Sequence, residues 1–381
     1  MAKHTPEKPS KPYPDFPLFP HATRRWAKKI KGKMCYFGPW DDPDAALAKY
    51  QLQRDDLYAG RVPRISEGLT VRDLVNHFLT AKQRAVDARE IKLNTFYEYR
   101  RCSGHLIDAF GKTRLVDDLR ADDFAQLRAE LAKVRGPVAL GNEIQRLRTI
   151  FKFGFEAGLI DKPVRFGPEF KKPSAKVMRL ARHANGERMI EAGDIRPLLD
   201  QASTQLRAMI LLGVNCGLGN TDCGELPMSA VDLDDAMLTY PRPKTGIPRR
   251  CPLWPETLAA IRATIAERRK PKDRADAHLL FITKHGNRWV AVRSNGQVRD
   301  TVCFAFGKLL RESGLKRPRL NFYALRHTFR TIADETCDHP AIDLIMGHED
   351  SASMATRYRE RISDDRLRAV VDHVHTWLFE S

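Results

Sequence analysis

Between Tyr323 and Arg359 the chain places three kinds of side chain that can act on one phosphodiester, within about one helical hairpin. Arg326 lies in Tyr323-Ala324-Leu325-Arg326-His327-Thr328-Phe329, His348 follows Met346-Gly347, and Tyr358 stands in Arg357-Tyr358-Arg359. An arginine fork clamps two phosphate oxygens with a charge that does not depend on pH. A histidine hydrogen-bonds a phosphate oxygen or moves a proton near neutrality. A tyrosine hydroxyl attacks phosphorus and holds a cleaved strand as a covalent ester. Each type is common alone, and their order along the chain is the informative feature.

The charge balance agrees with a nucleic-acid partner. Lys+Arg 65 against Asp+Glu 48 gives +17, an excess that suits a polyanion, DNA ahead of an anionic membrane surface. The 381 residues allow two or three domains, and a 42% apolar content supplies their cores. No apolar run approaches the ~20 residues of a membrane span, and Ala208 to Val214 reads as a core helix. The basic, proline-rich N-terminus is followed by no hydrophobic segment, so no secretion signal is expected. Seven cysteines without a Cys-x-x-Cys pair read as reduced thiols of a cytoplasmic protein, not as a disulfide framework or a metal site.

The apolar pattern changes along the chain. Residues 1–20, with six prolines from Pro6 to Pro20, are expected to form a flexible basic arm. In 21–61, two short strands, Arg24 to Ile30 and Lys33 to Gly38, turn at Lys31-Gly32, and a helix follows Asp42-Pro43. Arg24, Arg25, Lys28 and Lys33 give this small module a basic strand face able to enter a DNA groove, or merely a solvated one. Residues 66–160 read as four helices, the first capped at Thr70 with Val71, Leu74, Val75, Phe78 and Leu79 in one stripe. The last, from about Asn142, buries Ile144, Leu147, Ile150, Phe151 and Phe155. Arg146, Arg148 and Lys152 lie off that stripe, either as a solvated face or as contacts to phosphates. A basic linker spans 161–186, and 187–381 reads as one mixed domain with a strand pair, Met237 to Tyr240 and Arg249 to Leu253, around the turn Lys244-Thr245-Gly246.

The C-terminal motifs resemble the tyrosine recombinases, the phage integrase family. Their catalytic domain ends in His-x-x-Arg-His-Thr, then Leu-Gly-His, then a tyrosine about one helix later. The resemblance implies an α+β, mainly helical fold: an arm-type DNA-binding module, a helical core-binding domain and a catalytic domain. It implies site-specific cleavage and rejoining of double-stranded DNA through a 3′-phosphotyrosyl intermediate, by protomers assembled as a tetramer on paired sites. It also implies roles: Tyr358 as nucleophile, Arg326 as phosphate clamp, His348 as phosphate contact and Lys244 as general acid to the leaving 5′ oxygen. Energy conserved in the ester makes a nucleotide cofactor unnecessary, and the family pattern calls for no metal. The C-terminal amphipathic run from Arg366 to Phe379 can dock on a neighbour or pack on its own domain.

Two catalytic positions depart from the family. Its Thr-Gly-x-Arg segment aligns with Cys216-Gly217-Leu218-Gly219, which puts glycine at the first arginine. Losing one preorganised contact of that kind costs roughly 3 kcal/mol, or ~10² in rate. The histidine three residues before Arg326 is Tyr323, which donates a hydrogen bond but exchanges protons poorly at neutral pH. Tyr358 also stands one place further from His348 than is usual. Arg242, Arg249 and Arg250, beside the lysine turn, are candidate replacement cations. The alternatives are a working recombinase with a rebuilt phosphate cage, a degenerate DNA-binding relative acting as regulator or accessory factor, and a type IB topoisomerase-like relaxing enzyme.

Overall fold

The computed structural model describes residues 8–60, 68–184, 186–293, 296–348 and 360–380. The chain divides into two compact units, Met1–Met178 and Arg179–Ser381. As the resemblance implies, it is mainly helical, with small antiparallel sheets.

The first unit begins with a three-stranded sheet, β1 (Phe19–His21), β2 (Arg25–Ile30) and β3 (Lys33–Pro39), paired in that order. Lys31 and Gly32 both take positive φ, 47° and 81°, the mirror-image turn whose twist matches a right-twisted hairpin. Helix α1 (Pro43–Ala59) starts where the Asp42 carboxylate accepts from the Ala45 N–H, and it ends at Gly60 in the left-handed conformation. It covers one sheet face over Trp26, Ile30, Phe37, Ala46 and Tyr50. Residues 8–20 are not the flexible arm expected of them. Phe16 and Leu18 are fully buried in this core and β1 adds an edge strand. The prolines hid two large apolar side chains, and their fixed φ lowers the entropy lost on ordering.

Four helices follow, α2 (Val71–Asp87), α3 (Leu93–Phe110), α4 (Ala121–Val134) and α5 (Pro137–Glu156). The Thr70 hydroxyl accepts from the Asp73 N–H at 3.1 Å, the cap read from the sequence. Phe155 is 42% exposed rather than buried. A Cβ at its neighbour Gly154 would lie 2.6 Å from Leu74 and Ile160, so position 154 marks the line of closest helix contact. One residue further turns the side chain about 100° away from it. The expected linker also contributes to this core: Phe166 and Phe170 join Phe124 and Phe151 in one aromatic cluster. The exposed helix α6 (Ala175–His183) then crosses the division between the units.

The second unit is built on α8 (Thr204–Asn215), preceded by α7 (Ala192–Gln201). Leu206 and every residue from Ala208 to Asn215 are buried on α8. After the short α9 (Asn220–Gly224) come β4 (Val231–Asp232), β5 (Met237–Thr239) and β6 (Arg250–Pro252), an antiparallel sheet in chain order. The wholly buried Asn215 side chain donates to the Pro252 carbonyl and accepts from the Trp254 N–H, both at 3.0 Å, fixing β6 to the end of α8. Helix α10 (Pro255–Ala266) packs on α8. A hairpin that the sequence reading missed, β7 (Val290–Val292) with β8 (Val298–Asp300), leads to α11 (Thr301–Glu312). Helix α12 (Tyr323–Ala333) lies so close to α8 that a Cβ at Gly213 would be 2.9 Å from Leu325. Helix α13 (His339–Met346) ends at Gly347, and α14 (Asp364–Phe379) packs on α7, α8, α12, α13 and β6 of its own unit. Of the two positions open to the C-terminal run, the structure has it at home.

If Phe166 and Phe170 belong to the helical core, Phe170→Ala should cost about 3–5 kcal/mol of full-chain stability in urea unfolding. A loss well under ~1 kcal/mol, the size of a surface change, would mean that the segment merely tethers.

Candidate active site

Arg326 is the centre of a polar site inside the second unit, 2% exposed on α12. Its Nη1 donates to the Gly217 carbonyl, and its Nη2 donates to the Met346 carbonyl and to His348 Nε2, both at 2.8 Å. Glycine is required at two of these approaches. Gly217 has φ 61°, and a Cβ there would touch Phe329 at 3.0 Å. Gly347 has φ 64°, and its Cβ would stand 2.7 Å from Arg249 Cγ and 3.0 Å from Arg242 Cβ. The left-handed Gly347 both ends α13 and lets the β5–β6 hairpin close against it.

Burial is the main force on the Arg326 charge, with Arg242 and Arg249 adding repulsion, and its pKa falls to about 10. His348 is likewise held below its ordinary value, first by burial and then by Arg326 and Arg242. Because Arg326 has only donors, His348 Nε2 accepts. The network therefore assigns the ring proton to Nδ1, 3.6 Å from Asp343. Asp343 itself is bound to Arg330 at 2.6 Å. Among the described residues no carboxylate lies within ion-pair distance of Arg326 or Arg242. Two arginines without a carboxylate of their own, beside a histidine whose Nε2 faces them, can receive an anion.

The three arginines beside the lysine turn have separate fates. Arg250 is held by Asp364 through two contacts of 2.6 Å. Arg249 is wholly buried, donates to Asp222 at 2.9 Å and lies over the Tyr240 ring. Arg242 is half-buried and donates to the Gly347 carbonyl at 3.5 Å. Lys244 is exposed on the same turn, which closes through the Gly246 N–H on the Arg242 carbonyl.

The departures at positions 219 and 323 meet in space. A Cβ at Gly219 would be 3.3 Å from the Tyr323 ring and 3.4 Å from an Asp222 carboxylate oxygen, which accepts from the Gly219 N–H. Tyr323 is 38% exposed and stands edge-on to His327, whose pKa is lowered by burial and by Arg188. Tyr358 lies outside the described residues.

In the N-terminal sheet, Arg24 is exposed in the β1–β2 turn and Arg25 stands over Tyr36 on the open face. Lys33 is exposed at the start of β3. Lys28 lies over Tyr50 of α1, on the covered face. The open face instead carries Lys29 opposite Met34, beside Tyr36, and strict alternation along β2 would have found it. On α5, Arg146 pairs with Glu98 at 3.2 Å and Lys152 with Glu156 at 3.4 Å. Arg148 donates to the Phe170 carbonyl and lies over Phe166.

Among the described residues no cluster of His, Cys, Asp or Glu could hold a metal ion, and no helix is long and apolar enough to cross a membrane. All seven cysteines are unpaired.

The site can be set beside known proteins. The model of the phage integrase family matches residues 181–363. Among solved structures, the Tn1549 transposon integrase bound to circular-intermediate DNA is similar over 81% of this chain and 100% of its own, with TM-score 0.57 and 18% identity. The lambda integrase tetramer bound to a Holliday junction covers 91% of this chain and 96% of its own, with TM-score 0.57 and 16% identity. The lambda integrase dimer on a COC′ core site covers 92% and 96%, with TM-score 0.54 and 15% identity. These likenesses show the fold. No curated protein matches the chain.

The local charges predict a proton titration. His348 should titrate below ~6.5, the free value, in ring NMR spectra, and Arg242→Gln should move it upward by removing a neighbouring cation. Since folding depresses this pKa, the unfolded chain protonates first, so its contribution to stability is present above ~6.5 and is lost as pH falls below that value. A His348 titration unmoved by Arg242→Gln would separate the two groups.

Proposed function

We propose, from the match of residues 181–363 to the model of the phage integrase family, that this protein is a site-specific recombinase that cuts and rejoins double-stranded DNA through Tyr358. The observation that carries this reading is Arg326: a buried guanidinium beside a neutral histidine, joined by carbonyls and by no described carboxylate. Such a site is preorganised for the non-bridging oxygens of a phosphodiester, where charge develops during phosphoryl transfer.

In this reading Arg326 and His348 hold the scissile phosphate. The Tyr358 hydroxyl gives up its proton to water and attacks phosphorus, the bond to the 5′ oxygen breaks, and Lys244 gives that oxygen its proton. A 5′ hydroxyl of the partner strand then attacks the 3′-phosphotyrosyl ester and releases Tyr358, so the number of phosphodiester bonds is unchanged. Residues 187–381 are the catalytic domain and 66–160 grip the core site, with 21–61 as the arm-type module reading a second DNA segment through its open sheet face. Lys29 and Tyr36 join Arg24, Arg25 and Lys33 as contacts there, whereas Lys28 and Arg148 support their own folds. The integrase solved on a Holliday junction is a tetramer, and we infer the same assembly here, in the cytoplasm where reduced thiols persist.

The second reading is a DNA-binding relative that no longer cuts, and Gly219 with Tyr323 is the observation in its favour. Nicked duplexes drawn from the DNA flanking the gene distinguish the two. Wild-type protein should give a covalent protein–DNA adduct on a denaturing gel, and Tyr358→Phe should give none. Tight, site-specific binding without an adduct on any duplex would favour the non-cutting relative. Relaxation of supercoiled plasmid without sequence preference would point to a topoisomerase-like enzyme.

A further inference from the structure

We propose that Arg242 is the second phosphate-binding cation of this site, taking over the charge that the family carries at position 219. The proposal rests on Arg326 being a phosphate clamp.

Geometry separates Arg242 from its two neighbours. Arg250 already has both arms on Asp364. Arg249 has no exposed side-chain surface, and although its Nε and Nη1 are buried without a hydrogen-bond partner among the described residues, its Nη2 is held by Asp222, whose other oxygen holds the Gly219 N–H. That makes Arg249 a positioning residue for the backbone at 219. Arg242 keeps solvent access, and its one side-chain hydrogen bond among the described residues is the 3.5 Å contact to the Gly347 carbonyl, long for a hydrogen bond. A guanidinium has five N–H donors, so most of its capacity is unused.

Its direction is also informative. Arg326 Nη2 donates to the Met346 carbonyl and Arg242 Nη1 to that of Gly347, the next residue. The two guanidinium groups therefore address successive carbonyls at the end of α13, with His348 immediately following. Arg242 weakens the ionisation of Arg326 and also disfavours the charged form of His348. An anion between them would relieve that repulsion.

Position 219 explains why the charge moved. The Tyr323 ring stands 3.3 Å from the place a first side-chain carbon at 219 would occupy. A side chain there is a tight fit, and the partly exposed ring would have to give by a few tenths of an ångström, while an arginine at 242 enters from the hairpin on the α13 side. Arg242 transfers no proton in this scheme. It donates N–H bonds to non-bridging oxygens as they gain charge.

The test has two arms on the full-length protein. In the first, phenylglyoxal modification of each arginine is followed by peptide mass spectrometry in inorganic phosphate and in sodium chloride of equal ionic strength. Phosphate should protect Arg242 saturably and leave Arg250 unprotected. In the second, adduct formation on nicked duplexes should fall about 10²-fold in Arg242→Gln and recover in part in Arg242→Lys, which restores charge without the fork. Arg242 modified equally fast in both salts, or an undiminished adduct in Arg242→Gln, overturns the proposal. If phosphate protects Arg242 but the wild-type protein cuts no duplex, the clamp stands and the strand-cleavage reading falls.

Discussion

The buried guanidinium of Arg326 joins three segments that are distant in sequence: the Gly217 carbonyl after α8, its own helix α12 and the Met346 carbonyl at the end of α13. A charge taken out of water is costly, and here the compensation comes from carbonyl dipoles in place of a carboxylate. The C-terminal carbonyls of α13 carry the negative end of a helix dipole, which favours cations at that point. A carboxylate would neutralise the arginine and repel a phosphate. Carbonyls hold it in place and leave its charge available. Stability and anion recognition therefore depend on the same hydrogen bonds, and the close approaches at Gly213, Gly217 and Gly347 exist to let them form.

The departures at 219 and 323 then read as one exchange. The ring of Tyr323 fills the space beside Gly219, and Asp222 ties the bare backbone there to buried Arg249. Independent decay would leave a gap or an orphaned carboxylate. Asp222 is instead satisfied on both oxygens, one by a backbone N–H and one by a guanidinium.

Much of the fold was legible because the local signals agreed with one another. The Thr70 and Asp42 caps, the Lys31-Gly32 turn and the stripe on α2 each have a local physical cause, and each formed where the pattern put it. The failures have physical reasons too. Phe16, Leu18, Phe166 and Phe170 sit in proline-rich or irregular stretches, where burial follows from partners distant in sequence and leaves no periodicity to read. The β7–β8 hairpin has three-residue strands, too short for alternation to show. Motif order singled out Arg326 and His348, which the fold brings into contact, and the lysine turn. Sequence proximity could not rank Arg242, Arg249 and Arg250, because the choice depends on Asp222, Gly347 and Asp364, which lie between 27 and 114 residues away.

The arrangement of charges bears on whether the site still works. A protein that only held DNA would be served by exposed lysines and arginines, since phosphate contacts on a surface need no burial. It would gain nothing from keeping Arg326 nearly inaccessible with a second arginine beside it that disfavours the charge of both Arg326 and His348. Selection for stability alone would replace such a cluster with apolar packing, because buried cations without a carboxylate are a liability to the folded state. If the proposed reaction is the one this site performs, such a cluster suits it, because cations with no carboxylate between them are stabilised most when the oxygens they face carry the most charge.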